Sequence, residues 1–305
     1  MAPSAIPVTL PLRVGARTLW RFRRPLIRTH IGLAAALTGE VPRLAALPSG
    51  AEGYLITALP AHLVAPLRAA LPELHGFVRQ HYSRHHADLR IGFDAYLAGF
   101  SAKTRSTLRR KVRRLADRSG GALDLRAYRA PGEMAEFHRL ARQVSARTYQ
   151  ERLLDAGLPE GSEALTRLEA LARRDAVRGW VLLVDDEPIS YLHAPAEGEV
   201  LLYAHLGYDP DFADFSPGTV LQVEAMRQLM GERRFAWFDF TEGDGAHKRL
   251  FATGSIDSVD LLLLRRTPAN LLLGRTLDGF DHAVRFAKRA AGATGMERLV
   301  RGALH

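Results

Sequence analysis

"GWVLLVDDEPISYLHAPAEGEVLLYAHLGYDP", residues 179–210, holds three runs rich in Val, Leu, Ile and Tyr, cut by two turns. The first turn is Asp185–Asp186–Glu187–Pro188 and the second is Glu197–Gly198. Residues that suit a pleated, half-buried surface, interrupted by residues that favour tight reversals, specify an antiparallel meander. The next stretch, "SPGTVLQVEAMRQLMGE", changes to helical spacing. Val220, Leu221, Val223, Met226, Leu229 and Met230 give a wide apolar side to a helix running from about Gly218 to Met230. "FAWFDF" (235–240) then reads as a short buried strand, and "SVDLLLLRR" (258–266) as another. A helix joining the third meander strand to the next strand makes that pair parallel, so the sheet is mixed.

Upstream of the meander the signals are helical. In "FSAKTRSTLRRKVRRLADRSGG" (100–121), Ser101 caps a helix, Leu108, Val112 and Leu115 share one face, and Gly120–Gly121 stop it. "ALDLRAY" is a strand, and Pro131 opens a helix whose buried side carries Met134, Phe137, Leu140, Ala141 and Val144. "SEALTRLEALARR" is a third helix. Residues 1–90 are punctuated by Pro and Gly. "YLITALP" (54–60) is their best strand, and "AHLVAPLRAALPEL" is a short helix broken at Pro66. The basic, Trp-bearing stretch "VGARTLWRFRRPLIRTHIGLAAALTG" (14–39) could lie on a membrane surface, but it reads first as a surface-exposed arm packed by its Trp and Leu side chains. The last 35 residues, with Phe280, Val284 and Ala287 at helical spacing, form a basic terminal helix.

The 305 residues can bury a large core, and 47% of them are hydrophobic. A net charge of +9, carried mainly by arginine, favours acidic partners: nucleic acid, anionic lipid, a phosphorylated ligand or an acidic carrier protein. The absence of cysteine excludes disulfides, a cysteine nucleophile and a thiolate metal site, and it fits a cytoplasmic protein. No run is long and apolar enough for a transmembrane segment. His81 and His85, four apart in "QHYSRHH", would share a helix face but lack a third ligand, so no metal is expected.

The chemistry concentrates in "FDFTEGDGAHKRLFATGS" (238–255). Alternation puts Phe238 and Phe240 on one face of the strand and Asp239 with Thr241 on the other. A carboxylate leaving a buried strand needs a partner or water, which makes Asp239 and Glu242 candidates for acid–base work. The alternative for Asp239 is structural: it caps the loop or pairs with an arginine of the basic helix. His247 has the pKa range suited to proton transfer at neutral pH, and Lys248 suits an anion contact. Tyr149, Asp244 and His205 are candidate substrate contacts. His205 lies opposite His193 in the meander. Gly218, Thr219 and Val220 begin a helix with unpaired N–H groups, a site that attracts phosphate.

Three of these stretches, "FSAKTRSTLRRKVRRL", "LGYDPDFADFSPGTVLQ" and "FDFTEGDGAHKRLFAT", together resemble the GNAT superfamily of N-acyltransferases. The resemblance is narrower to the branch related to the cellulose-biosynthesis protein CelD, itself similar to Fem-type peptidyltransferases. It spans residues 96–265. It implies an α/β fold: a GNAT-like mixed sheet flanked by helices, with a smaller, partial GNAT-like N-terminal region. The corresponding division is 1–95, a partial or degenerate subdomain; 96–268, the acyltransferase domain; and 269–305, a basic helical extension.

The resemblance further implies a donor held through phosphopantetheine, either acyl-CoA or an acyl carrier protein. Leu206, Gly207 and Tyr208 would pair with the pantetheine arm where two strands splay. Ser216, Gly218, Thr219, Val220 and Lys248 would hold the phosphates. The superfamily's usual Gln/Arg-x-x-Gly-x-Gly/Ala loop is replaced here by "SPGTV". Asp239, Glu242 and His247 are the catalytic candidates for acylation of a primary amine on an amino sugar, amino acid or peptide. A homodimer is compatible with this reading. Alternatives are a Fem-like transferase using aminoacyl-tRNA, and a non-catalytic module that binds an acyl carrier or RNA.

Overall fold

Four consecutive leucines, Leu261–Leu264, show how one strand serves two cores. In the computed structural model, which describes residues 5–14, 17–148, 157–243 and 245–293, alternate leucines enter different clusters. Leu261 and Leu263 pack with Tyr54, Ile56 and Leu67, whereas Leu262 and Leu264 pack with Val8, Leu10 and Leu273. This is the period-2 signature of a strand buried on both faces.

The chain divides into two compact units. The first comprises residues 1–83 and 256–305. Its described part contains β1 (Ile6–Val14), β2 (Arg17–His30), α1 (Leu33–Thr38), β3 (Gly53–Pro60) and α2 (Val64–Ala70). To these it adds most of β4 (Leu74–Asp88), most of β11 (Gly254–Arg265) and α9 (Pro268–Ala293). The strand order is β1-β2-β3-β11-β4. β1 and β2 form a long antiparallel hairpin, β2 and β3 are parallel, and β3 and β11 are antiparallel.

The sequence division differs from these units. The C-terminal segment belongs with the N-terminal residues, because β11 inserts between β3 and β4. Pro66 does not break a helix. It lies in the first turn of α2, where a missing N–H costs nothing. The packed arm expected near Trp20 is instead a hairpin whose Trp20 stays 63% exposed.

The second unit spans residues 84–255. After the end of β4 come α3 (Phe93–Ala98), α4 (Ala102–Arg118), β5 (Asp124–Tyr128), α5 (Met134–Ser145), α6 (Gly161–Ala172) and β6 (Val177–Val184). There follow β7 (Glu187–Glu197), β8 (Val200–Leu202), β9 (His205–Tyr208), α7 (Pro217–Glu232), β10 (Trp237–Asp239) and α8 (Ala246–Phe251). The order is β4-β10-β8-β7-β6-β5, with β9 also on β7. The predicted meander is present, and β8 and β10 are parallel, as a connecting helix requires.

One sheet face is covered by α5 and α6, with Phe137, Leu140 and Val144 against Val181 and Tyr191. The other is covered by α4 and α7, with Leu108, Leu115, Leu221 and Met226 against Leu182, Leu192 and Leu201. Ser101 caps α4 as expected, its hydroxyl accepting from the Thr104 N–H at 3.1 Å.

Candidate active site

The third run of the meander is broken in the middle. β8 pairs with β7 at Ala196↔Leu201 and Glu197↔Val200, and β9 pairs with the same strand from His193↔His205 to Ser190↔Tyr208. Tyr203 and Ala204 lie between. On its other edge β8 bonds β10 as far as Leu202↔Asp239, and the Tyr203 N–H donates to the Asp239 carbonyl at 2.8 Å. β10 then ends, and Phe240 bonds the His85 carbonyl instead. Among the described residues β9 is therefore left with β7 as its one strand neighbour, and no strand pairs with its opposite edge at Leu206–Tyr208.

That free edge borders a cavity of about 560 Å³. Leu206, Gly207 and Tyr208 line it, as do Ser216, Gly218 and Thr219 at the start of α7. Tyr203, Thr148, Gly245, His247 and Lys248 complete much of the wall.

Packing requires the first of these glycines and favours the second. A Cβ on Gly207 would lie 2.6 Å from the Tyr191 ring and 2.8 Å from the Thr148 methyl. Gly207 keeps regular register with Tyr191, so the strand irregularity lies upstream at Tyr203–Ala204. A Cβ on Gly218 would lie 3.0 Å from a Leu206 methyl, so this glycine lets the helix start approach β9.

The helix start is narrower as an anion site than its sequence implied. Ser216 adopts a left-handed conformation (φ 53°), and its carbonyl accepts from both the Thr219 and Val220 N–H groups. Pro217 has no N–H. Gly218 supplies the one first-turn amide left without a partner among the described residues. Val220 is fully buried in the core beneath α7 and does not line the cavity.

The three expected acid–base residues separate. His247 lines the cavity, between the rings of Tyr203 (6.0 Å) and Phe251 (4.9 Å), and its Nε2 is buried without a hydrogen-bond partner. Burial, aided by the charges of Lys248 and Lys111, lowers its pKa to about 4. The imidazole is thus neutral at physiological pH. Glu242 is exposed and is not in the cavity wall. Its backbone carbonyl accepts from Lys248 Nζ.

Asp239 is fully buried and faces elsewhere. Its carboxylate takes Arg84 Nη2 at 2.5 Å and Nε at 3.1 and 3.2 Å, and it accepts from the Thr241 N–H at 2.8 Å. Arg84 is itself 1% exposed. The arginine partner expected from the basic helix comes instead from β4.

Lys248 is half-buried, with its Nζ 5.9 Å from the centre of the Tyr203 ring. Burial lowers its pKa, while Glu242 and Asp239 oppose that shift. His205 stacks on His193 at 5.7 Å and an interplanar angle of 11°. Tyr149 and Asp244 lie outside the described residues.

Tyr203 and Thr148 are cavity residues that the sequence reading missed. Tyr203 sits against Phe238, Phe240 and His247, and burial raises its hydroxyl pKa, keeping it a protonated donor. No sequence signal marks it: "VLLYAHLGY" reads as continuous apolar strand, and the interruption at Tyr203–Ala204 is seen only in the fold. His81 and His85 lie on a strand and not on a helix. Among the described residues no cluster of three or more His, Cys, Asp or Glu side chains is arranged to hold a metal. No helix among them is long and apolar enough to cross a membrane.

The mixed sheet, the free strand edge and the helix start beside it define a GNAT-like α/β fold. Residues 102–249, just under half the chain, match the family described as "Acetyltransferase (GNAT) domain". The chain is similar in structure to FemX, with a TM-score of 0.56 and 12% identity over 89% of this chain and 91% of that one. It is also similar to the C-terminal DUF2156 domain of an Agrobacterium fabrum protein described as a lysylphosphatidylglycerol synthetase. There the TM-score is 0.51 and the identity 15%, over 75% of this chain and 72% of that one. At such identities the likeness concerns the fold. No curated protein matches the sequence.

Proposed function

We propose that this protein is an N-acyltransferase that moves an acyl group from a phosphopantetheine thioester to a primary amine. The observation that carries the reading is the free edge of β9 beside the start of α7. The backbone groups that Leu206 and Tyr208 turn to the open edge suit the amides of a pantetheine arm, while Gly207 faces β7, its carbonyl accepting from the Ser190 hydroxyl at 2.9 Å. The Gly218 N–H with Lys248 suits the phosphates. In this reading the amine nitrogen attacks the thioester carbonyl carbon, and the C–S bond breaks. His247 takes the proton released by the amine, and the Tyr203 hydroxyl donates one to the departing sulfur. The donor is acyl-CoA or an acyl carrier protein, and the acceptor is an amino sugar, an amino acid or a peptide side chain. Asp239 is assigned to holding the cleft's strand end through Arg84, not to proton transfer.

A transferase using aminoacyl-tRNA is the second reading. It is favoured by α4, where Arg109, Arg110 and Arg113 are exposed and have no ion-pair partner among the described residues. Thermal unfolding with each donor separates the two. Coenzyme A at a hundred times its Kd should stabilise the protein by about 2.7 kcal/mol. Stabilisation by tRNA together with none by coenzyme A or carrier protein would sink the first reading.

A further inference from the structure

The proposed reaction makes no use of the β1–β2 hairpin. Near its end, Trp20 is 63% exposed and Leu19 is 59% exposed. As neighbours on a strand they point to opposite faces. Trp20 extends an apolar row: Leu10 pairs with Phe22 and Leu12 with Trp20. Leu10 is buried in a core cluster, Leu12 and Phe22 are half-buried against it, and Trp20 is left in water. Folding of this unit therefore gives Trp20 no cover.

Behind the two apolar side chains the strand is cationic. Arg21 and Arg23 continue the face of Leu19, and both are exposed. Residues 1–39 contain six arginines and no aspartate or glutamate. Arg24 pairs with Glu52 at 3.1 Å, whereas Arg21 and Arg23 have no ion-pair partner among the described residues.

We infer that this hairpin docks the protein on an anionic lipid bilayer, with Trp20 and Leu19 entering the interface and Arg21 and Arg23 meeting lipid phosphates. The strand rise of roughly 3.3 Å per residue sets Arg21 about 7 Å behind Leu19. That matches the roughly 5–10 Å to which interfacial apolar groups sink below the headgroups. An acidic protein surface would satisfy the arginines but would cover one face of the strand pair. A bilayer receives a projecting hairpin on both faces, as Leu19 and Trp20 require. Trp at the interface beside Arg at the phosphates is also the favoured arrangement of these side chains in membranes.

The test is co-sedimentation of the full chain with vesicles of equal parts phosphatidylglycerol and phosphatidylcholine, and with vesicles of phosphatidylcholine alone. Binding is expected to the anionic vesicles only and to fall steeply with added salt. Arg21→Gln and Arg23→Gln should each weaken partitioning roughly fivefold, and Trp20→Ala roughly tenfold. Trp fluorescence should shift to the blue on vesicle binding, and Trp20→Phe should bind while losing that shift, since Trp180 is already buried and Trp237 is half-buried beneath Arg90. All four side chains are exposed, so the variants should keep the wild-type melting temperature. Equal binding to both vesicle types, no binding to either, or a blue shift that survives Trp20→Phe would each overturn the inference.

Discussion

His247 and Asp239 show how nearby residues of one motif meet different surroundings. Asp239 forms a fully buried ion pair with Arg84, so removing either partner leaves an uncompensated charge. Asp239→Ala should cost about 3–5 kcal/mol in denaturant unfolding, whereas Glu242→Gln, at an exposed position, should leave stability within about 0.5 kcal/mol. An Asp239→Ala enzyme with wild-type stability would refute the structural assignment. His247→Gln should lower kcat by about 10²–10⁴ with little change in folding. Because burial and two lysines hold its pKa near 4, the wild-type rate should show no limb from His247 near pH 6.5. A limb near pH 6.5 that His247→Gln abolished would contradict that environment. The sequence exposed the cost of a carboxylate leaving a buried strand. It could not name Arg84, which lies 155 positions away among many arginines and meets Asp239 through the pairing of β4 with β10.

At the scale of elements, the cleft depends on two close approaches, of which that at Gly207 excludes a Cβ while that at Gly218 leaves room for one if Leu206 shifts. Gly207→Ala would press a methyl into Tyr191 and the Thr148 side chain, and should destabilise by about 1–3 kcal/mol. Gly218→Ala meets only the end of a flexible Leu206 side chain, so its stability cost should be below about 1 kcal/mol. Its methyl would stand at the helix start beside β9, and KM for the acyl donor should rise roughly tenfold with kcat little changed. Calorimetry and steady-state kinetics on the pair check both halves. Equal effects of the two variants on donor KM and on stability would mean that the helix start holds no phosphate. The start of α7 was legible because Ser-Pro-Gly before a helical apolar pattern is a local signal. The break between β8 and β9 was not, because side-chain type carries no mark of where a neighbouring strand ends. β10 stops opposite Leu202, and that termination alone frees the edge of β9.

For the whole molecule, the sequence yielded the mixed sheet and its parallel β8–β10 pair but not the division into units. The terminal segment reads as an extension until β11 is seen between β3 and β4, a non-local pairing that no window of sequence contains. Non-local packing within the second unit buries His193, on β7, against β9 and α5. Neither ring nitrogen has a hydrogen-bond partner among the described residues, and burial, with the neighbouring imidazoles of His205 and His138 as lesser causes, lowers its pKa to about 3. An unfolded histidine titrates near 6.5. Between that value and the folded pKa the unfolded chain binds a proton that the folded chain refuses, so stability falls as pH drops through this window. Above about pH 7 both states are neutral at this site, and it contributes no pH dependence. His193 alone should steepen the loss by up to about 1.4 kcal/mol per pH unit below pH 6.5. Burial raises the pKa of Glu224 and Asp260, so carboxylates also contribute in the interval from pH 6.5 to 5, and the histidine share is read from the difference between wild type and variant. Urea titrations across that interval should give a shallower slope for His193→Leu than for the wild type, with His247→Leu reducing it further. Parallel slopes in the wild type and both variants would show that neither imidazole is held neutral by burial.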